Sequence, residues 1–134
     1  MPVDRLNLVV ARYRDGKLVK GVTYDFSPAK TLFHVQTSSD KQGTASVNIS
    51  DLKAVFFVKS LEGFPEYKEK KEFPEKAPGR KIKVEFFDGE TILGTTTGYS
   101  QERQGFFLFP VDPESNNLRI YVVSAAVKKV EFQP

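Results

Sequence analysis

The chain has 134 residues, 20 Lys and Arg against 17 Asp and Glu for a net charge of +3, and 40% apolar residues including 12 Phe; this suits one compact domain or two very small ones and excludes wholesale disorder. Cys is absent and His34 is the single histidine, which removes disulfides, thiolate and multi-histidine metal sites and cysteine nucleophiles. No apolar run nears the roughly 20 residues of a membrane helix, and Met1-Pro2-Val3-Asp4-Arg5 has no signal-peptide character, so a cytoplasmic chain without cofactor or metal is expected.

Taken in chain order, the elements read as strands. Val9, Ala11 and Tyr13 alternate with Val10, Arg12 and Arg14, the period of two that marks a half-buried strand. Asp15-Gly16 supplies a tight hairpin turn, expected to be of type I′ because Gly accepts positive backbone torsions. A second strand over 17–26 carries Gly21 in its interior, which marks a bend or bulge where a small sheet curls. Strands follow at about 31–37, 44–50 and 53–58. Residues 59–80 differ in kind: Phe64-Pro65-Glu66 and Phe73-Pro74-Glu75 flank a charged run around Tyr67. Such prolines exclude a central strand, and the aromatics predict an ordered connector in which Phe64, Tyr67 and Phe73 pack onto their surroundings. Ile82, Val84 and Phe86 then alternate with Lys83, Glu85 and Phe87, and Asp88-Gly89 makes a second turn. A strand over 90–99 contains Gly94, and the last strands fall near 104–110, 118–123 and 127–132. Ten short strands and little helix predict an all-β protein.

The second series repeats the first. Val9 to Gly21 aligns with Ile82 to Gly94 at a constant offset of 73, which continues through Phe26/Tyr99, Ser27/Ser100 and Phe33/Phe106. Leu52 to Phe57 aligns with Val127 to Phe132 at an offset of 75, so two residues enter the second copy around Asp112 to Asn117. Self-similarity of this kind is the mark of duplication.

An apolar strand, Asp-Gly, an apolar residue three positions on, Gly five positions on, then Gly-aromatic resembles the first signature of Sm-like small β-barrels. The second copy shows it as Val84-Glu85-Phe86-Phe87-Asp88-Gly89, Ile92, Gly94 and Gly98-Tyr99. The first keeps Asp15-Gly16, Val19, Gly21 and Phe26, with Asp25 in place of the later Gly. Val47–Phe57 and Ile120–Phe132 are similar to that family's final strand pair with a one-turn connection. The resemblance implies two tandem five-stranded Sm/SH3-like barrels, 1–58 and 81–134, around the 59–80 connector. It does not bring an RNA site with it. Ser27, Thr31, Ser100 and Gln104 stand where RNA-binding members carry Asp and Asn, and Ser50-Asp51 and Ser124-Ala125 stand in place of Arg-Gly. The paired Asp-Gly copies also resemble a bacterial family of duplicated Asp-Gly-turn barrels without assigned function.

Few residues point to chemistry. A general base at His34 would need a nucleophile and an orienting carboxylate, and neither has a local signature. Asp15 and Asp88 are explained by their turns, and Asp25 has no counterpart, so no catalytic residue is assigned. Asp25-Phe26-Ser27 brushes the Asp-x-Ser-x-x-Gly motif of PilZ cyclic-di-GMP receptors, but the Gly is Lys30 and the arginine partner is missing. Charge is uneven: residues 1–59 hold nine bases and five acids, whereas 82–134 hold five and seven. Arg12, Arg14, Lys17, Lys20 and Lys30 could form a nucleic-acid-binding face around the first hairpin, with Phe26 or His34 for stacking, or could be solvated outer positions of a curled hairpin. The opposite signs of the copies also allow head-to-tail association. Phe56-Phe57, Phe86-Phe87 and Phe106-Phe107 each send one ring out of their own half, to an inter-half seam or to an exposed patch. The leading expectation is a non-catalytic binding or scaffold module acting on a protein partner or on itself. Nucleic-acid binding comes next, and cyclic-dinucleotide binding after it.

Overall fold

A computed structural model describes residues 7–37, 43–59, 80–96, 98–99, 102–111 and 116–132. The expected connector, with Phe64, Tyr67 and Phe73, lies outside them. The described residues form ten strands: β1 (Asn7–Tyr13), β2 (Leu18–Thr23), β3 (Leu32–Gln36), β4 (Thr44–Asn48), β5 (Leu52–Val58), β6 (Arg80–Phe86), β7 (Thr91–Thr96), β8 (Gly105–Pro110), β9 (Asn117–Val123) and β10 (Val127–Phe132). The protein is all-β, and β2 and β7 end earlier than expected, at Thr23 and Thr96.

Both hairpin turns differ from type I′, which needs positive torsions at two successive residues. Only Gly16 (φ 97°) and Gly89 (φ 94°) are positive, so Asp15 and Asp88 keep ordinary backbone. The Gly16 N–H donates to the Tyr13 carbonyl, and the Tyr13 N–H donates to Lys17 across the closing pair. Gly89 and Phe86 repeat this, so each loop has three residues and ends on a left-handed glycine. The Asp15 and Asp88 carboxylates accept from the N–H two residues on, at 2.9 and 3.0 Å.

All ten strands share one antiparallel sheet in the order β10-β6-β7-β8-β9-β5-β1-β2-β3-β4. The expected pair of closed barrels is not what the hydrogen bonding makes. Closing the first half would require β5 to pair with β4. Its free side is taken instead by β9, with Ala54 opposite Val122, Val55 opposite Tyr121 and Phe56 opposite Ile120. The sheet is therefore open, and β4 and β10 are its edges.

The β5–β9 seam explains the burial. Every residue of β5 is buried. Val55 and Phe57 enter one apolar cluster with Val9, Phe33, Val47 and Tyr121. Ala54, Phe56 and Val58 point the opposite way, into a second cluster with Ile82, Val84, Phe86 and Ile120. Alternation along one strand thus serves two cores, each buried Phe or Val contributing roughly 1.5–3 kcal/mol. Gly21 and Gly94 sit where the neighbouring strand approaches closely. A Cβ at Gly21 would lie 2.1 Å from the Gln36 carbonyl oxygen, and one at Gly94 would lie 2.4 Å from that of Phe109. One-turn 3-10 segments, Ile49–Asp51 and Ser124–Ala126, join β4 to β5 and β9 to β10.

Candidate functional site

The basic residues of the first hairpin divide among separate surroundings. Arg12 lies over the Phe56 ring at 5.4 Å, turned toward the second half. Arg14 donates to the Ser50 carbonyl at 2.7 Å. Lys17 and Lys20 are exposed on the hairpin. Lys30 sits on the β2–β3 loop, where its carbonyl accepts from Gln104 of the second half. Phe26 packs edge-on against Phe33, Phe57 and Tyr121, so its ring belongs to the first core. Of the paired aromatics, Phe56/Phe57 and Phe106/Phe107 split between the two cores, while Phe87 is 69% exposed.

The first half's outer face carries an arrangement the sequence did not signal. Asp25, past the end of β2, accepts from the His34 N–H at 2.9 Å, from His34 Nδ1 at 2.7 Å and from the Thr23 hydroxyl at 3.2 Å. Burial acts to raise the Asp25 pKa, but the bonds from His34 and Thr23 outweigh it and hold the carboxyl below its ordinary value. Asp25 and His34 line a shallow cleft together with Val22, Tyr24, Gln36 and Thr44. Asp25 and His34 are nine residues apart and meet only because β3 returns alongside β2, so no local motif could have shown them. The Ser27 hydroxyl accepts from the Ala29 N–H at 3.2 Å, so the two polar residues of the Asp-x-Ser stretch are engaged separately, Ser27 within its loop and Asp25 with the flanking strands.

Beside this cleft runs β4. His34 lies opposite Ser46, and Leu32 opposite Asn48. Thr44, Ser46 and Asn48 are exposed, whereas Ala45 and Val47 turn toward the first core. Among the described residues β4 has one strand neighbour, and it carries no charge and no proline. The opposite edge, β10, carries Lys128, Lys129 and Glu131, with Lys129 and Glu131 3.5 Å apart.

Two features lie along the seam. At Lys53 the β1–β5 register slips, a bulge that lifts its side chain off the ladder and across to the second half's hairpin. There Lys53, 7% exposed, pairs with Asp88 at 2.8 Å and with Glu90, and lies 4.7 Å from the Phe86 ring centre. The Lys53 ammonium and the Glu90 N–H hold the Asp88 carboxyl below its ordinary value. Elsewhere the halves leave a groove of about 640 Å³, whose lining includes Arg103, Gln104, Phe107, Phe109 and Tyr121. The Gln104 amide donates to the Pro28 and Lys30 carbonyls at 2.8 Å each, tying the first half's loop to the groove wall. Burial raises the Tyr121 phenol above its ordinary value, outweighing the opposing influence of a hydrogen bond with Gln104 and of the Arg103 charge.

Among the described residues no group of three or more His, Cys, Asp or Glu could hold a metal ion, and no helix is long and apolar enough to cross a membrane. No curated protein and no solved structure matches the chain. A family model does match, over residues 6–133, and the chain belongs to that family of unknown function, DUF6982.

Proposed function

We propose that this protein is a non-catalytic binding or scaffold module that associates with a second copy of itself through β4. Each five-strand set is, in this reading, one copy of a duplicated small barrel of Sm/SH3-like type, opened so that it can donate and accept strands. The observation that carries the reading is the chemistry of the β4 edge, an uncharged row that among the described residues has a strand neighbour on one side only. Unguarded edges of this kind are templates for strand addition.

Symmetry selects the occupant. An antiparallel two-fold pairing centred on Ser46 sets Ala45 against the second copy's Val47 on the core side, and Thr44 against its Asn48 on the outer side. Apolar meets apolar and polar meets polar, as an isologous contact requires. Head-to-tail association in the register of the β5–β9 seam fares worse. It would place Lys129 and Glu131 of β10 where Ala54 and Phe56 stand, facing Val47 and Ala45. Two charges would then enter an apolar layer, which is costly. Five residues of pairing make a small interface, so association should be weak, with a dissociation constant on the order of micromolar or above.

Sedimentation at rising concentration tests this. The mass should climb from 15.1 kDa toward twice that value. Ser46→Lys, at an exposed position, should hold it at the monomer. A wild-type monomer at every concentration to the millimolar range, or a dimer that Ser46→Lys leaves intact, would refute the proposal.

A second reading draws on Tyr24, which is 64% exposed beside His34 on the face that also carries Lys20. Aromatic and cationic side chains together suit a single-stranded nucleic acid. Salt-sensitive retention of an oligonucleotide, lost in Lys20→Ala with Tyr24→Ala, would favour it over self-association. Absence of retention at low salt would remove it.

A further inference from the structure

We infer that the groove between the halves is a binding site for a small amphipathic carboxylate, a monoanion with an apolar body. At about 640 Å³ the groove falls within the size range of small-ligand sites, and a boundary between two packed units is where such sites commonly form. Its wall is aromatic. Phe107 and Tyr121 stack edge-on at 5.1 Å to make the inner surface, and Phe109, 41% exposed, stands at the lip. This surface offers contact to a hydrocarbon or ring.

Charge selects the sign of the ligand. Among the described lining residues Arg103 is the cation and none is an acid. An ammonium-bearing ligand would find no carboxylate there, whereas a carboxylate finds a guanidinium whose fork matches its two oxygens. The site is also held in shape before any ligand arrives. Gln104 is anchored to two carbonyls of the first half's loop, and the Ser124 hydroxyl donates to the Arg103 carbonyl at 2.9 Å. Gly105 lets the β8 backbone lie against the Tyr121 ring, where a Cβ would stand 2.6 Å from ring carbons. Preorganised walls reduce the ordering cost of binding.

Decanoate and decanol, one an anion and the other neutral with the same tail, are the probes, used with the full chain below micelle-forming concentration. Amide chemical shifts on titration should saturate with decanoate at one site and move Ala29, Gly98, Gly105 and Phe109. Decanol should bind about tenfold more weakly, the worth of one charge-assisted hydrogen bond. Arg103→Gln, at an exposed position, should weaken decanoate about tenfold and leave decanol unchanged. Phe109→Ala should weaken both. Equal affinity for the two probes, indifference of decanoate to Arg103→Gln, or no saturable shift in the millimolar range would each overturn the inference. None of these results depends on β4, so the oligomeric state and the groove are tested separately.

Discussion

Substituting Gly21 by Ala probes how the sheet curls. The added Cβ would sit 2.1 Å from the Gln36 carbonyl oxygen, 2.8 Å from its carbon and 2.9 Å from Val35 Cγ1, whereas ordinary contact begins at 3.4 Å. Two of these three atoms are backbone, so no rotamer change relieves the clash and β3 must move away by more than about 1 Å. Val22 opposite Gln36 is the register pair that joins β2 to β3, and separation breaks it. Overpacking costs about 1–3 kcal/mol, and a lost ladder bond adds about 1 kcal/mol. Ala returns under about 1 kcal/mol by restricting the unfolded chain. The sum is a loss of about 1–3 kcal/mol, or a Tm lower by about 4–10 °C for a chain of this size. Urea denaturation followed by far-ultraviolet circular dichroism suits a chain without Trp. Gly98→Ala is the control, since its Cβ would meet nothing within 4 Å, and it should fall within about 0.5 kcal/mol of the parent. Gly16→Ala also meets no atom but forces φ of +97° on a residue with a side chain, and should cost about 1–2 kcal/mol. If Gly21→Ala proves as mild as Gly98→Ala, close strand approach is not why glycine stands there.

Two further predictions concern buried and oriented charge. Asp88→Asn combined with Glu90→Gln strands the Lys53 ammonium, which is 7% exposed; the loss should be about 2 kcal/mol in urea denaturation, moderated because both acids are half-exposed. Lys53→Met should cost less than this double change, and the reverse order would refute a seam held by that cluster. Asp25 governs a pH dependence. Its folded pKa lies below the ordinary 3.8, so its contribution is present above that value and disappears as pH falls through the folded one. Asp25→Asn should flatten the stability profile below about pH 4 by well under 1 kcal/mol, the exposure of the pair being discounted. It should also release His34, seen as changed ring nitrogen shifts in nuclear magnetic resonance. A parent and variant with superimposable acid profiles and histidine shifts would remove the dyad.

Period-two alternation, two Asp-Gly turns and punctuation by proline were enough to read ten strands from the chain alone, most of them within one or two residues of their observed limits. Local chemistry decides such features: side chains alternate across a pleat whatever the strand later pairs with. The same alternation, read at Phe56-Phe57, announced that one ring must leave its half. Its destination was not local. That β5 would turn its second side to β9 rather than to β4 depends on which of two distant strands completes the ladder, and this choice alone makes the sheet open instead of two closed rings. The glycine turns show the same division. Asp-Gly made a hairpin certain, but the three-residue loop followed from the register of β1 on β2, which left Asp15 with ordinary backbone and only Gly16 left-handed. Asp25 and His34, and likewise Arg103 with Phe107 and Tyr121, are brought together by strands returning from elsewhere in the chain. Composition and spacing carry no trace of such meetings, because a contact between residues far apart in sequence exists only once the backbone between them has been placed.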